Sequence, residues 1–304
     1  MTNTAIELGV KAGQRPKVAK LFNYENRIYL FLLPSLIGMG VFYVVPFFIS
    51  IYYALIDNAV ARNFVGVYNL IDTWNNQAFA LAVNNTVIFM GSSIPLNMGL
   101  ALTFALMLKP MRAAVRRFLI VFFLLPLVIP SGSVVFFWRN LLGINGLINR
   151  YAIPLFDMQP VNWLNSDYAM YFIVLIFIWK NIGFNMILFQ AGLDFIPKDY
   201  YECAAIEGAG PLRQFFSVTL IYLGPTFLLV FILSVVNSFK VFREIYLLTG
   251  THPHSEIYLL QHFLNNQFAH LNYQRMAAAS FFTFAFVFLL VALLYRLQQR
   301  QTYW

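Results

Sequence analysis

Residues 201–210 read Y-E-C-A-A-I-E-G-A-G, a polar, helix-forming stretch between two strongly apolar segments. The chain has six apolar segments long enough to cross a membrane, since a bilayer core of about 30 Å requires about 20 apolar residues in a helix. A membrane-embedded chain keeps most of its charged residues outside the lipid. An acidic, glycine-marked loop between two spans therefore predicts a surface through which another protein acts on this chain.

The composition places the chain in a lipid bilayer. Hydrophobic residues make up 60% of the 304 residues and charged residues only 11%, whereas a soluble domain carries roughly 25% charged residues. The net charge of +8 does not indicate nucleic-acid binding, because the basic residues lie at the ends of apolar segments. The single cysteine, Cys203, excludes an internal disulfide.

The predicted fold is an all-α integral membrane protein with six transmembrane helices. The predicted spans are 28–55, 83–108, 118–138, 168–189, 215–236 and 276–294. Prolines fall inside several spans, and we expect kinks rather than breaks, because neighbouring helices can satisfy the freed carbonyl groups. These prolines are Pro34, Pro46, Pro95, Pro126, Pro130 and Pro225. Kinked helices that pack together leave room for a cavity.

The distribution of Lys and Arg predicts the orientation. Thirteen of these residues fall on the side of the two termini and six on the opposite side. The positive-inside rule therefore places both termini in the cytoplasm, together with the loop 197–212. Residues 1–27, which lack the pattern of a cleavable signal peptide, are predicted to be a cytoplasmic tail.

The residue chemistry of this loop predicts an elbow. Pro197 suits the first turn of a helix, and Asp199 and Glu202 place negative charge near its positive end. Gly208 supplies the left-handed residue that ends a helix, and Pro211 begins a second one. Chemistry alone leaves two interpretations open: a docking surface for a partner, or an ordinary solvated loop.

The stretch E-C-A-A-I-E-G-A-G resembles the EAA motif of binding-protein-dependent ABC importer permeases. Its tail matches at Phe215, Val218, Thr219, Leu220 and Pro225. Cys203, Glu207 and Ile221 depart from the family pattern, and Ile221 suggests a straighter start to the fifth span. Further similarity to the sugar-importing branch (maltose and glycerol-phosphate types) lies in Leu30 to Pro34, Phe42, Pro46, Trp163-Leu164, Trp179-Lys180, Gly183 to Met186, Ala191 to Leu193, Ile196-Pro197 and Leu247 to Gly250.

The resemblance implies an organisation and a site. It implies a first transmembrane helix at 28–56 and a MetI-like permease domain of five helices at 79–297, with a coupling helix at 197–212. The residues that would contact the ATPase are Glu202, Ala204, Ala205, Glu207, Gly208 and Ala209.

The resemblance also implies partners and a location. The partners would be a second permease subunit, an ATPase dimer that carries ATP and Mg²⁺, and an extracytoplasmic solute-binding protein, in the cytoplasmic membrane of a bacterium. This chain would bind no cofactor and would transport a sugar or oligosaccharide. The alternatives are a non-sugar solute such as glycerol phosphate or a polyamine, or an ion-coupled secondary transporter. With the predicted boundaries no Asp or Glu lies inside a span, which argues against proton coupling.

The sequence contains no catalytic signature. It has no Gly-Lys pair, hence no phosphate-binding P-loop, and no H-E-x-x-H. We therefore expect a transport subunit whose energy comes from a partner chain.

Polar residues inside the spans are candidates for the substrate pathway. Lys180 is the clearest charge within a span, and it could line a pathway with Asn181, Asn185, Ser234 and Asn237. The alternatives are a scaffold ion pair for Lys180 and interhelical hydrogen bonds for the amides and hydroxyl. On the outer side, His252, His254, His262 and His270 lack the companions of a metal site, so we expect a surface for an external protein or a solvated loop.

Overall fold

The computed structural model describes residues 24–58, 60–152 and 159–302. In chain order its α-helices are α1 (Tyr24–Met39), α2 (Val45–Ala54), α3 (Tyr68–Trp74), α4 (Gln77–Leu108), α5 (Ala113–Val128), α6 (Ser131–Leu142), α7 (Ala169–Asp194), α8 (Lys198–Ile206), α9 (Pro211–Gln214), α10 (Leu220–Tyr222), α11 (Gly224–Lys240), α12 (Phe242–Thr249), α13 (Leu260–Ala269) and α14 (Tyr273–Thr302). The described residues form an all-α protein, as predicted. The predicted tail 1–27 lies mostly outside them.

The chain divides into two compact units, the first of which ends at Tyr52. Within it, α1 continues through a π-turn at Gly40–Val44 into α2. Pro34 lies inside α1 without ending it. The span Phe31–Ala54 is apolar and long enough to cross a membrane.

The second unit contains the remaining spans. Across the described residues, five helices are long and apolar enough to cross a membrane, and six if the bent pair α5–α6 forms one span. At the start of α4, the side chain of Asn76 accepts a hydrogen bond from the amide of Phe79 at 3.1 Å. Such a cap satisfies one of the amides that the first turn leaves free.

Helices α4 and α7 form the centre of this unit. Both are apolar on most faces, which is typical of helices surrounded by others. The fully buried rings of Phe89 and Phe177 meet edge to face with centroids 5.5 Å apart. On another side of α7, Gly183 allows α5 to approach closely, because a Cβ atom there would lie 2.0 Å from the carbonyl oxygen of Phe123.

The prediction of a kink at Pro130 is wrong, because the helix breaks there. Helix α5 ends at Val128, α6 begins at Ser131, and the two axes differ by 93°. Proline disfavours helical geometry at the residue before it, and Ile129 is extended, with φ −65° and ψ 129°. The third span therefore does not continue straight to residue 138.

The predicted bounds of the fifth span, 215–236, are also wrong. Residues Phe215–Thr219 form a π-turn, and the apolar helix long enough to span runs over Gly224–Thr249. Pro225 lies in the first turn of α11, where a proline is favoured. The boundary was misplaced because the charged residues after 236 were taken to lie outside the membrane. Glu244 falls within the later part of this helix and is buried.

Candidate functional site

The polar loop forms a helix followed by a sharp turn. Helix α8 ends in a Schellman motif: the amide of Gly208 donates to the carbonyl of Ala205 at 3.0 Å, and that of Ala209 donates to Ala204 at 2.9 Å. Gly208 has a φ of +79°, a left-handed conformation that glycine adopts without the Cβ clash of other residues. The local chemistry of the sequence thus forms the expected elbow, which comprises residues 197–214.

Helix α9 completes the elbow on the other side of the turn. Pro211 occupies its first turn, and the side-chain amide of Gln214 donates back to the carbonyl of Ala209 at 2.9 Å. This bond closes the turn with a contact between residues only five positions apart. The shape of the elbow therefore depends on its own residues.

The elbow presents a mixed acidic and apolar surface. Of the predicted docking residues, Glu202, Ala205, Glu207 and Gly208 are exposed, whereas Ala204 and Ala209 are half-buried. Two large apolar side chains flank the turn: Ile206 is 87% exposed and Leu212 is 73% exposed. Exposed apolar side chains around a rigid turn are suited to contact with another protein.

Contacts that the sequence did not reveal join the elbow to the spans. The hydroxyl of Tyr201 forms a hydrogen bond with Thr219 Oγ1 at 2.9 Å. The Nζ atom of Lys109, at the end of α4, lies 5.1 Å from the centre of the Tyr201 ring. The rings of Tyr200 and Tyr222 are 4.6 Å apart. The adjacent aromatic residues Tyr200 and Tyr201 in an otherwise polar loop were the sequence feature that could have indicated these contacts.

A cavity of about 340 Å³ lies between α5, α6, α7, α11 and α12. Three of the predicted pathway residues, Lys180, Asn181 and Asn237, line this cavity. Sequence reasoning missed its other polar lining residues, which are Ser131, Lys240, Arg243 and Glu244. Three of these four follow residue 236, where the predicted fifth span ended.

Lys180 forms an ion pair with Glu244. The carboxylate of Glu244 is buried, and it also accepts a hydrogen bond from Ser131 Oγ at 3.1 Å. The contact joins α7, α12 and the first residue of α6. A charge inside an apolar span is usually paired in this way, and Lys180 both forms this ion pair and lines the cavity.

The structure places the other two predicted pathway residues away from the cavity lining. The side-chain amide of Asn185 donates to Asn97 Oδ1 at 2.6 Å and to Ser234 Oγ at 2.9 Å. All three side chains are buried. They join α4, α7 and α11 through interhelical hydrogen bonds, the alternative that the sequence left open.

The four outer histidines occupy different environments. His252 and His254 line a second cavity, and His270 is exposed. His262 is fully buried, and burial lowers its pKa to about 4, so the expectation of a surface position is wrong for this residue. Within residues 24–58, 60–152 and 159–302, no group of three or more His, Cys, Asp or Glu could hold a metal ion.

Membrane-length helices, an exposed elbow and a polar cavity between the helices define an integral membrane protein of the transporter class. The chain belongs to the family of binding-protein-dependent transport system inner membrane components, whose model matches residues 93–303. The family is that of ABC importer permeases, so this chain is a transport subunit and not an enzyme. The expectation of a multi-pass membrane protein with a MetI-like fold is confirmed.

Relatives and a solved structure extend the comparison. The trehalose/maltose transport system permease protein MalF of Thermococcus litoralis is 31% identical over 229 residues, which are 74% of this chain and 77% of that protein. The sn-glycerol-3-phosphate transport system permease protein UgpA of Yersinia enterocolitica is 29% identical over 285 residues, 90% of this chain and 94% of that one. A bacterial alginate ABC transporter has been solved in complex with an alginate pentasaccharide-bound periplasmic protein, and it contains a chain of the same fold. The TM-score is 0.79 and the sequence identity 18%, and the match covers 94% of this chain and 98% of that chain.

Proposed function

We propose that this chain is the permease subunit through which an ABC importer moves a sugar or oligosaccharide into the cytoplasm. The elbow supports this proposal most directly, since a rigid, exposed turn tied to the following span is suited to transmit force from a partner. The relatives named for trehalose, maltose and sn-glycerol 3-phosphate transport support the choice of cargo.

A separate ATPase dimer binds ATP and Mg²⁺ and docks on the elbow. Glu202 and Glu207 supply the charge of this interface, Ala204, Ala205 and Ala209 allow close approach, and Gly208 forms the turn. With the elbow and both termini in the cytoplasm, the histidine-rich loops face an extracytoplasmic solute-binding protein. A second permease subunit completes the pathway.

The cavity is part of the route that the cargo takes. Its wall includes the junction of α5 and α6, where Ile129 is extended and the helix axis turns by 93°. Movement of the elbow is relayed through Thr219 and the start of the fifth span toward α11 and α12, two of the helices that form the cavity. ATP-driven motion at one end of these helices thereby changes access at the other.

The test reverses the charge of one exposed residue on the elbow and, separately, of one exposed residue outside the elbow. Glu202→Lys places a cation on the elbow. Glu256→Lys is the control for ATPase attachment alone, because Glu256 is also exposed but lies in the short helix Ser255–Ile257, beside the histidine-rich loops assigned to the solute-binding protein. In cells that express the complete transporter, we expect Glu202→Lys to insert normally but to lose co-purification with the ATPase and ATP-dependent uptake. Normal uptake in this variant would refute the coupling role.

A second measurement separates the importer from an ion-coupled transporter. Uptake into vesicles should require ATP and continue when ionophores remove the ion gradients. Uptake that ionophores abolish would exclude the importer mechanism. This control matters because Glu244 is a buried carboxylate on a long apolar helix, although its pairing with Lys180 fits a scaffold role.

A further inference from the structure

The lining of the cavity carries more positive than negative charge. Lys180, Lys240 and Arg243 contribute three cations, and Glu244 contributes the carboxylate. The remaining polar lining consists of the amides Asn181 and Asn237 and the hydroxyl of Ser131. The two amides can donate hydrogen bonds, whereas the hydroxyl of Ser131 already donates to Glu244.

Lys240 and Arg243, the two cations other than Lys180, lie within the apolar helical stretch Gly224–Thr249. A Lys or Arg in a span faces water, a cavity or a protein partner, because contact with hydrocarbon costs several kcal/mol. Lys240 and Arg243 both line the cavity and are exposed. Their charged groups are therefore accessible to a solute in the cavity.

The ion pairs of the described residues leave these two cations without a carboxylate. Glu244 is engaged by Lys180 and by Ser131. The ammonium of Lys240 contacts the neutral side chain of Asn237 at 3.0 Å. The other ion-pair contacts in the described part of the chain join Arg275 to Asp72 and His254 to Asp167. The cavity thus retains two positive charges that no carboxylate in the described residues neutralises.

We propose that this cavity binds an anionic substituent of the transported solute, a carboxylate or a phosphate, through Lys240 and Arg243. The guanidinium of Arg243 can bind either group with two parallel hydrogen bonds, and the nearby amides supply donors to the rest of the solute. The carboxylate of Glu244 is already engaged by Lys180 and Ser131. This inference rests on the proposed function, since it assigns the cargo of the same pathway to the acidic or phosphorylated class.

Thiol chemistry measures the charge of the cavity without knowledge of the solute. In the complete transporter, Cys203→Ser removes the native thiol, and Val128→Cys introduces one at an exposed position of the cavity lining. The probes are an anionic sulfonatoethyl and a cationic trimethylammonioethyl methanethiosulfonate, whose rates are normalised to those with a free thiol in solution. We expect the anionic reagent to be favoured by about tenfold or more.

Two substitutions test whether Lys240 and Arg243 cause the preference for the anionic reagent. Lys240→Gln and Arg243→Gln should each lower the ratio of anionic to cationic rates, and together they should bring it close to one. The native Cys203, measured without Val128→Cys in the permease purified without its ATPase, is the control, because it is exposed beside Glu202 on the elbow and should favour the cationic reagent. A ratio near one at Val128→Cys, or a ratio that both substitutions leave unchanged, would overturn the proposal.

Protection of the same thiol identifies the anion. A galacturonate trisaccharide tests the carboxylate, sn-glycerol 3-phosphate tests the phosphate, and maltotriose is the neutral control. Slower labelling with either anion, and not with maltotriose, supports the proposal; equal protection by maltotriose or none by either anion contradicts it. ATP-driven uptake of a neutral sugar would contradict this inference alone, whereas uptake independent of ATP would contradict the proposed function.

Discussion

The elbow and the cavity are built in opposite ways. The bonds that shape the elbow join residues a few positions apart, such as Ala209 and Ala204 or Gln214 and Ala209. The contacts that shape the cavity wall join residues 113 positions apart, in Ser131 and Glu244, and 64 positions apart, in Lys180 and Glu244. Local bonds keep the elbow in one shape, whereas the cavity depends on how five helices pack.

This difference separates force transmission from substrate access. A rigid elbow can move as a unit without loss of its own hydrogen bonds. A cavity between separate helices changes shape whenever those helices shift. A substitution at the elbow should therefore impair transport with little loss of stability, whereas a substitution around the cavity should lower both.

The largest effect is expected from Glu244→Ala. It leaves the ammonium of Lys180 in a mostly buried site without its carboxylate, and breaking a buried ion pair costs on the order of 3 kcal/mol. Thermal unfolding of the purified protein in detergent, followed by tryptophan fluorescence, should show a clearly lower midpoint than the wild-type protein.

Two controls decide whether the lost pair causes this effect. Ser131→Ala removes one hydrogen bond to the same carboxylate and should cost less, about 2 kcal/mol. The double variant Lys180→Met with Glu244→Leu leaves no unpaired charge, and it should recover much of the lost stability. A double variant no more stable than Glu244→Ala would contradict the assignment of the loss to an unpaired charge.

A smaller loss is expected from Gly183→Ala. The new methyl group would lie 2.0 Å from the carbonyl oxygen of Phe123, so α5 and α7 must separate. Overpacking of this kind typically costs 1–3 kcal/mol, on the order of several degrees in the midpoint. Gly99→Ala is the control, because nothing lies within 4 Å of its added Cβ. Equal midpoints for the two variants would contradict the close packing at Gly183.

The two regions also differ in how far the sequence predicts them. Pro197, Gly208 and Pro211 act on their own backbone, so their residue types were sufficient to predict the helix, the turn and the second helix. The pairing of Lys180 with Glu244 depends on packing across the fold, and no local pattern encodes it. The spans were recognised because apolar length is a strong signal, but the 93° break at Pro130 depends on whether neighbouring helices support the chain.

At the elbow, Gly208→Ala is expected to impair transport more than stability. An alanine with a φ near the +79° of Gly208 costs about 1 kcal/mol or more, which favours a different turn. We expect reduced ATP-dependent uptake and weaker attachment of the ATPase, with an unfolding midpoint close to that of the wild-type protein.

Gly210→Ala is the matched control two residues away. Gly210 has a φ of −69°, which alanine adopts without strain, and its added Cβ would have nothing within 4 Å. Uptake should therefore remain near the wild-type level. Equal impairment in the two variants would show that a methyl group on the elbow surface matters and that the left-handed conformation does not.

The smallest loss of transport is expected from Tyr201→Phe, which removes only the hydroxyl that contacts Thr219 at 2.9 Å. The ring and its contact with Lys109 remain, and loss of one hydrogen bond costs about 1 kcal/mol. If this bond transmits force from the elbow to the fifth span, fewer solute molecules should be transported per ATP hydrolysed, while ATP hydrolysis continues.

Thr219→Val should have the same effect, and the double variant should add nothing to it. Tyr171→Phe, at a tyrosine exposed on α7, controls for the loss of a phenol. An unchanged ratio of transport to hydrolysis in Tyr201→Phe would show that the elbow transmits force through its ring contacts and backbone alone.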